Sequence, residues 1–276
     1  MEKADYLILL VGKNPTPDFI SALTYYKEET NIFLVYTKKT EKVISTYNVA
    51  KNLEDSIKKI LKKASVETIE IDKNNIEEIN KSIKKDILSK FEINDNKNII
   101  LDFTGGTKIV SAIFNSRFSE LNNKNVYFSY VSEKTNEISL FDYRGERVRK
   151  KPTIEIAKKY NVSFNELLSI HIGNEECIKD FKDFYIEKIS NNGFTLNIDF
   201  KIKNIIKRKK DLINVFFDIN SLAEKLGGSN VIYTIIINVL KDEKLKNLEN
   251  EFYENIKNIT QISDIKSKIK LKELEG

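Results

Sequence analysis

Apolar residues in the first half of the chain alternate between short solid runs and stripes with helical spacing. Solid runs occupy 6–11 (YLILLV) and 99–103 (IILDF), as buried strands do. Further strand patterns lie at Asn31–Thr37 (NIFLVYT), 66–72 (VETIEID) and Val126–Ser132 (VYFSYVS), and 138–142 (ISLFD) is placed to form a hairpin with the last. Between them, apolar positions recur every three to four residues from Asp18 onward and over 41–63, 76–91 and 108–121. Strands joined by helix-length connections predict an α/β domain over residues 1–145. Its sheet is mainly parallel, covered on both faces and joined by right-handed crossovers.

The second half has a different rhythm. Residues 144–151 (RGERVRKK) are basic and marked by Gly145 and Pro152, which reads as a linker or a contact for nucleic acid. Short helices are expected at 152–160 and 164–170, making 146–173 a connecting segment. Ile178, Phe181, Tyr185 and Ile189 share one face of a helix predicted over 175–192. Strands are expected at 194–203, 212–219 and 231–239, with a short helix at 221–226 and a charged helix from Asp242 onward. Residues 174–276 therefore read as a smaller α+β domain.

Composition narrows the function. No run approaches the roughly 18 apolar residues that span a bilayer, and the acidic N-terminus leading into a strand does not read as a signal peptide. One cysteine, Cys177, excludes disulfide frameworks and cysteine zinc sites and suits a reducing cytoplasm. The single histidine, His171, rules out histidine-rich metal sites and reads as structural. The net charge of +5 is modest for 276 residues, and lysine is interleaved with glutamate as on solvated helix faces.

Chemistry is concentrated in two loops. The run at 99–103 ends at Thr104-Gly105-Gly106-Thr107, and a helical pattern starts at Lys108. A strand that turns straight into a helix presents backbone N–H groups and the positive end of a helix dipole, which suits phosphate. Thr104 and Thr107 add hydroxyls and Lys108 a charge. The spacing is neither that of a Walker A loop nor that of the dinucleotide fingerprint. A second polar loop, Gly12-Lys13-Asn14-Pro15-Thr16-Pro17, follows the first strand. Both loops lie at carboxyl ends of parallel-type strands, where open α/β sheets bind ligands.

LLVGKNPTPDF, FLVYTKKTEK and NIILDFTGGTKIVSA together resemble the CRISPR-associated Rossmann-fold (CARF) domain, over about residues 5–145. The chain is most similar to CARF proteins with a C-terminal PD-(D/E)xK-type nuclease activated by cyclic tetra-adenylate, and NVSFNELLSIHIG (161–173) looks like that family's connecting segment. The resemblance implies a Rossmann-like sheet and a homodimer that binds a cyclic oligoadenylate, cyclic tetra-adenylate before others, in type III CRISPR defence. It places Thr104, Gly105, Gly106, Thr107 and Lys108 on phosphate and ribose. It makes Gly12, Asn14, Pro15, Thr16 and Pro17 the other wall, and brings Thr37 and Thr40 to a ribose or an adenine edge. No cofactor is implied for this domain.

A PD-(D/E)xK core needs an acid on a helix, an acid at a strand bend and Glu-x-Lys on the next strand, the carboxylates holding Mg²⁺ or Mn²⁺. Glu187 on the predicted helix and Asp211 before the 212–219 strand are candidates, but that strand ends Asp218-Ile219-Asn220, without the lysine. The expectation is a shortened or degenerate effector that serves a nucleic-acid or protein partner. Two alternatives stand beside it: a metal-dependent DNase or RNase, and a metal-independent ring nuclease in which Lys108 steadies the charge developing on the messenger's phosphate.

Overall fold

The computed structural model describes residues 2–39, 45–92, 97–121, 125–132, 134–173, 183–203, 209–226, 231–237 and 271–273. The chain forms two compact units, Met1–Asn174 and Glu175–Gly276. In the first, seven strands stand in the order β3-β2-β1-β4-β5-β6-β7. They are β1 (Tyr6–Leu10), β2 (Asn31–Thr37), β3 (Ser65–Ile71), β4 (Ile99–Asp102), β5 (Val126–Ser132), β6 (Glu137–Asp142) and β7 (Arg147–Pro152). β1 to β5 are parallel; β6 and β7 complete the sheet as an antiparallel meander.

The helices are α1 (Thr16–Tyr25), α2 (Tyr47–Ile60), α3 (Ile76–Ser82), α4 (Lys108–Ser119), α5 (Thr153–Tyr160) and α6 (Phe164–Ile172). α3 runs on through a π turn at Ile83–Ile87 and a 3-10 turn at Leu88–Lys90. The crossovers through α1 and α2 step from β1 toward β3, whereas those through α3 and α4 step the other way. With right-handed connections, the two pairs cover opposite faces. The central strand β1 is buried at every position, so it reads as a solid apolar run. Its Tyr6, Ile8 and Leu10 join Ile79, Ile83, Val110, Phe114 and Phe118 in the core beneath α3 and α4. Each fully buried side chain of this size contributes about 1.5–3 kcal/mol.

The basic run expected to be a linker is the edge strand β7, paired with β6 and held by a 2.9 Å Lys150–Glu137 ion pair. Its side chains are almost all exposed, so no apolar alternation marks it. Charge on an edge strand also discourages pairing with another sheet. α5 and α6 pack against α1 and α2, and so belong to the first unit.

The second unit holds a four-stranded sheet of order β11-β10-β9-β8. β8 (Phe184–Asn192) and β9 (Thr195–Ile202) form a hairpin, α7 (Lys209–Leu226) crosses over to β10 (Val231–Ile237), and β11 (Leu271–Glu273) pairs with β10. Three expectations fail here. Within the helix expected from Asp242 onward, 271–273 are the strand β11, held by pairing with β10. Residues 184–192 are strand, not helix. Of the expected stripe, Ile178 and Phe181 lie outside the described residues, while Tyr185 and Ile189 stand on either side of a bulge between Ile186 and Lys188, which inserts one residue and breaks the strand's period of two. Residues 212–219 are helix, not strand. Val215, Phe216, Ile219, Leu222, Ala223 and Leu226 are buried at helical spacing, a period visible only when the window extends beyond LINVFFDI. Cys177, and most of the region expected to be helical after Asp242, lie outside the described residues.

Candidate functional site

β1 and β4 are adjacent, and the sheet grows outward from them in opposite directions. The chain leaving β1 and the chain leaving β4 therefore part at one point of the sheet edge, which opens a cleft at their carboxyl ends. A cleft of about 120 Å³ lies there, lined by Leu10, Val11, Gly12, Lys13, Val35, Thr37, Thr46, Ile71, Lys73, Gly105, Gly106, Thr107 and Val110. Its floor is the apolar ends of β1, β2 and β3 with the first turn of α4. Its rim holds two lysines and three threonines.

The glycines are required by the contact between the two loops. A Cβ added at Gly12 would lie 2.7 Å from the Gly105 carbonyl oxygen, and one at Gly105 would lie 2.5 Å from the Gly12 nitrogen. A Cβ at Gly106 would meet Ser111 Oγ at 2.5 Å. Backbone thus touches backbone where the loops cross, and α4 begins immediately beyond. Thr107 caps α4, its side chain accepting from Val110 N, while Lys108 stands exposed in the first turn.

Beneath the loops lie buried polar groups. Asp102 ends β4 and accepts from Ser21 Oγ at 2.6 Å, Ser129 Oγ at 2.7 Å and Thr104 N at 3.0 Å. Burial raises its pKa, and these donors oppose the rise. Asp18, in the first turn of α1, is wholly buried and neither carboxyl oxygen makes a hydrogen bond. Burial first, then the Asp102 charge, hold its pKa well above the carboxylate range; the Gly12 backbone N–H acts the other way. A carboxyl so placed favours its protonated form, because burial denies the ion water and the Asp102 charge opposes it.

Of the residues expected to bind ligand, Gly12, Thr37, Gly105, Gly106 and Thr107 line the cleft. Pro15, Thr16 and Pro17 are buried. Asn14 accepts from Thr16 N at 3.1 Å and shapes the turn into α1. Thr104 accepts from Val131 N at 2.9 Å and ties its loop to β5. Thr40 lies outside the described residues. Thr46 and Lys73 were missed. Thr46 Oγ1 accepts from Thr37 N at 3.0 Å, which brings the start of α2 to the cleft. Lys73 follows β3, and only the strand order shows that β3 ends beside β2 and β1.

The second unit carries a separate cluster. Asn197, Asp199 and Lys201 alternate on β9 with buried Leu196, Ile198, Phe200 and Ile202. Glu187, at the bulge of β8, meets Lys201 Nζ at 3.3 Å. Hydrogen bonding to Glu187 and then to Tyr185 raises the Lys201 pKa. Asp199-Phe200-Lys201 has the acid-x-lysine spacing that the segment after Asp218 lacks, and it lies on the strand paired with the one that bears Glu187. Asp218 is exposed on α7, and the side chain of Asp211, on the same helix, lies outside the described residues. The register of the hairpin, hidden by the bulge, was the lost signal. Among the described residues no three acids or histidines cluster as a ready-made metal site, and no helix is long and apolar enough to cross a membrane.

Residues 7–163 match the family model of the Card1 CARF domain. The fold is similar to that of Can2 from Sulfobacillus thermosulfidooxidans, solved in complex with cyclic tetra-adenylate. The match has 11% identity and a TM-score of 0.57, covering 99% of this chain and 95% of that one. Protein VC1899 from Vibrio cholerae matches at 10% identity and a TM-score of 0.51, covering 91% of this chain and 98% of that one. No curated protein sequence matches the chain. At these identities the structural likeness is one of fold.

Proposed function

The chain belongs to the Card1 CARF domain family, and from that membership we propose that its first unit senses a cyclic oligoadenylate in type III CRISPR defence, with cyclic tetra-adenylate the favoured ring. The observation that carries this reading is the meeting of the two glycine loops at the β1/β4 switch point. The cyclic tetra-adenylate held by Can2, a protein of similar fold, supports the choice of ligand. The N-terminus of α4, with Thr107 and Lys108, receives a phosphodiester. Lys13 and Lys73 add charge at the rim, and the floor of Leu10, Val35, Ile71 and Val110 gives a base an apolar face to rest on. A cyclic tetra-adenylate has two-fold symmetry, so its natural receptor is an isologous dimer. Calorimetry of the full chain with rings of three to six adenylates tests the reading. Thr107→Ala with Lys108→Ala is expected to weaken binding by about 2–4 kcal/mol. Absence of heat with every ring overturns it.

Glu187, Asp199 and Lys201 favour a second reading, in which the second unit is a metal-dependent nuclease. Two carboxylates are hard oxygen donors and fit Mg²⁺ or Mn²⁺, with waters and a substrate phosphate completing the shell. When bound, the ion supplies Lewis-acid polarisation of the phosphodiester. Glu187 and Asp199 would hold it, and Lys201 would place its ammonium beside the attacking water and the developing charge. Plasmid, single-stranded DNA and RNA incubated with Mg²⁺ or Mn²⁺, with and without cyclic tetra-adenylate, test this reading. Ligand-dependent cleavage is expected; intact substrates throughout leave the sensor reading alone.

A further inference from the structure

His171 has no part in the readings above, yet it is the only histidine in the chain and is placed against the candidate wall. It lies in the last turn of α6, with Nε2 at 3.0 Å from Thr16 Oγ1. Thr16 is itself 2% exposed and opens α1 directly after the 12–17 loop. Burial lowers the His171 pKa to about 4, so the ring is neutral and one nitrogen faces the hydroxyl as donor or acceptor.

α6 also holds the other side of the cleft. Ser169 Oγ lies 3.0 Å from Ser56 Oγ on α2, and α2 begins at the cleft residue Thr46. A capping box between Ser163 and Glu166 fixes the start of α6. At its end Gly173 has φ +75, and a Cβ there would meet Asn52 Oδ1 at 2.9 Å. The helix is therefore bonded to the elements that carry both walls, and the chain runs from it into the second unit at Glu175. Packing alone would be served by leucine at 171. A half-buried imidazole bonded to a buried hydroxyl is a directional contact, lost if the wall moves by an ångström or so.

We propose that His171 is a positioning residue: through Thr16 it holds the 12–17 wall in its ligand-ready place, and so couples occupancy of the cleft to the order of α6. The inference rests on the reading of the cleft as a cyclic-oligoadenylate site. Coupling of this kind is reciprocal, so a ligand that orders the wall also orders α6.

The test uses the full chain as wild type, His171→Gln, His171→Leu and Thr16→Val. Gln places an amide group near the position of Nε2, whereas Leu and Val remove one partner each. Titration with cyclic tetra-adenylate is expected to show about tenfold weaker binding for His171→Leu and Thr16→Val, and binding within about threefold of wild type for His171→Gln. Hydrogen exchange supplies a readout that mere packing would not move. Ligand is expected to protect the α6 amides in wild type and His171→Gln but not in His171→Leu or Thr16→Val, while protection at the start of α4 persists in all four. Wild-type affinity and wild-type α6 protection in both truncated variants overturn the proposal, as does ligand-saturated wild type without α6 protection. Wild type that binds no cyclic oligoadenylate overturns the reading of the cleft, and the proposal with it.

Discussion

The two units build their candidate sites from different material. In the first, the site is backbone: three glycines where loops cross, a helix N-terminus, and carbonyl and amide groups at strand ends. In the second, it is side chains from two strands, brought together by hairpin register and a bulge. Backbone sites need consecutive residues of a few types, so they leave a compact trace in the sequence. A register site needs only one acid on one strand and an acid and a lysine on its neighbour, and a chain with 41 acidic and 46 basic residues offers many such sets.

The sharpest way to break this comparison is to place one methyl group where the loops cross. Gly105→Ala would set a Cβ 2.5 Å from Gly12 N, so the loops must part. A loss of about 1–3 kcal/mol in urea unfolding is expected, together with loss of measurable binding to cyclic tetra-adenylate. Unchanged binding would show that the crossing does not shape the site. In the second unit, Lys201→Ala and Asp199→Asn are each expected to lower any ligand-dependent cleavage by about 100-fold or more. Asp211→Ala and Asp218→Asn should leave it unchanged. The opposite pattern would return the site to α7.

Further effects come from titratable groups shielded from water in the first unit. His171 has its pKa lowered to about 4 in the fold, from 6.5, so the unfolded chain binds more protons between those values. Stability is therefore expected to fall by about 3 kcal/mol as pH drops from 6.5 to 4, and His171→Leu should flatten that slope in urea titrations. Asp18 works in the other direction. Its raised pKa favours the fold below the ordinary carboxylate range, and that contribution is lost as pH rises through the folded value. Asp18→Asn, which keeps the shape without the proton, should stabilise the protein at neutral pH, measured as a higher urea midpoint. The smallest effect is expected at the edge strand. Lys150→Ala removes an exposed pair with Glu137 and should cost about 0.5 kcal/mol or less.

Legibility followed burial. The strands β1, β2, β4 and β5 and the helices between them stand out because their apolar pattern has one period along its whole length. β7 was hidden because an exposed edge strand has no apolar face, and β8 because one inserted residue broke its period of two. Thr46 and Lys73 were hidden for a different reason, since they approach the cleft from separate strand ends.

The sequence by itself determined that the chain opens with a mainly parallel α/β domain and that two glycine loops follow its first and fourth strands. It also determined that one cysteine and one histidine exclude disulfide frameworks, cysteine zinc sites and histidine-rich metal sites. Those conclusions depend on local period and on residue types that occur once. The tertiary structure alone decided that the loops cross at the switch point, that Thr46 and Lys73 share their cleft, that His171 meets Thr16, and that Glu187 meets Lys201. Each is a contact between residues distant along the chain, set by strand order and register, which no local pattern encodes.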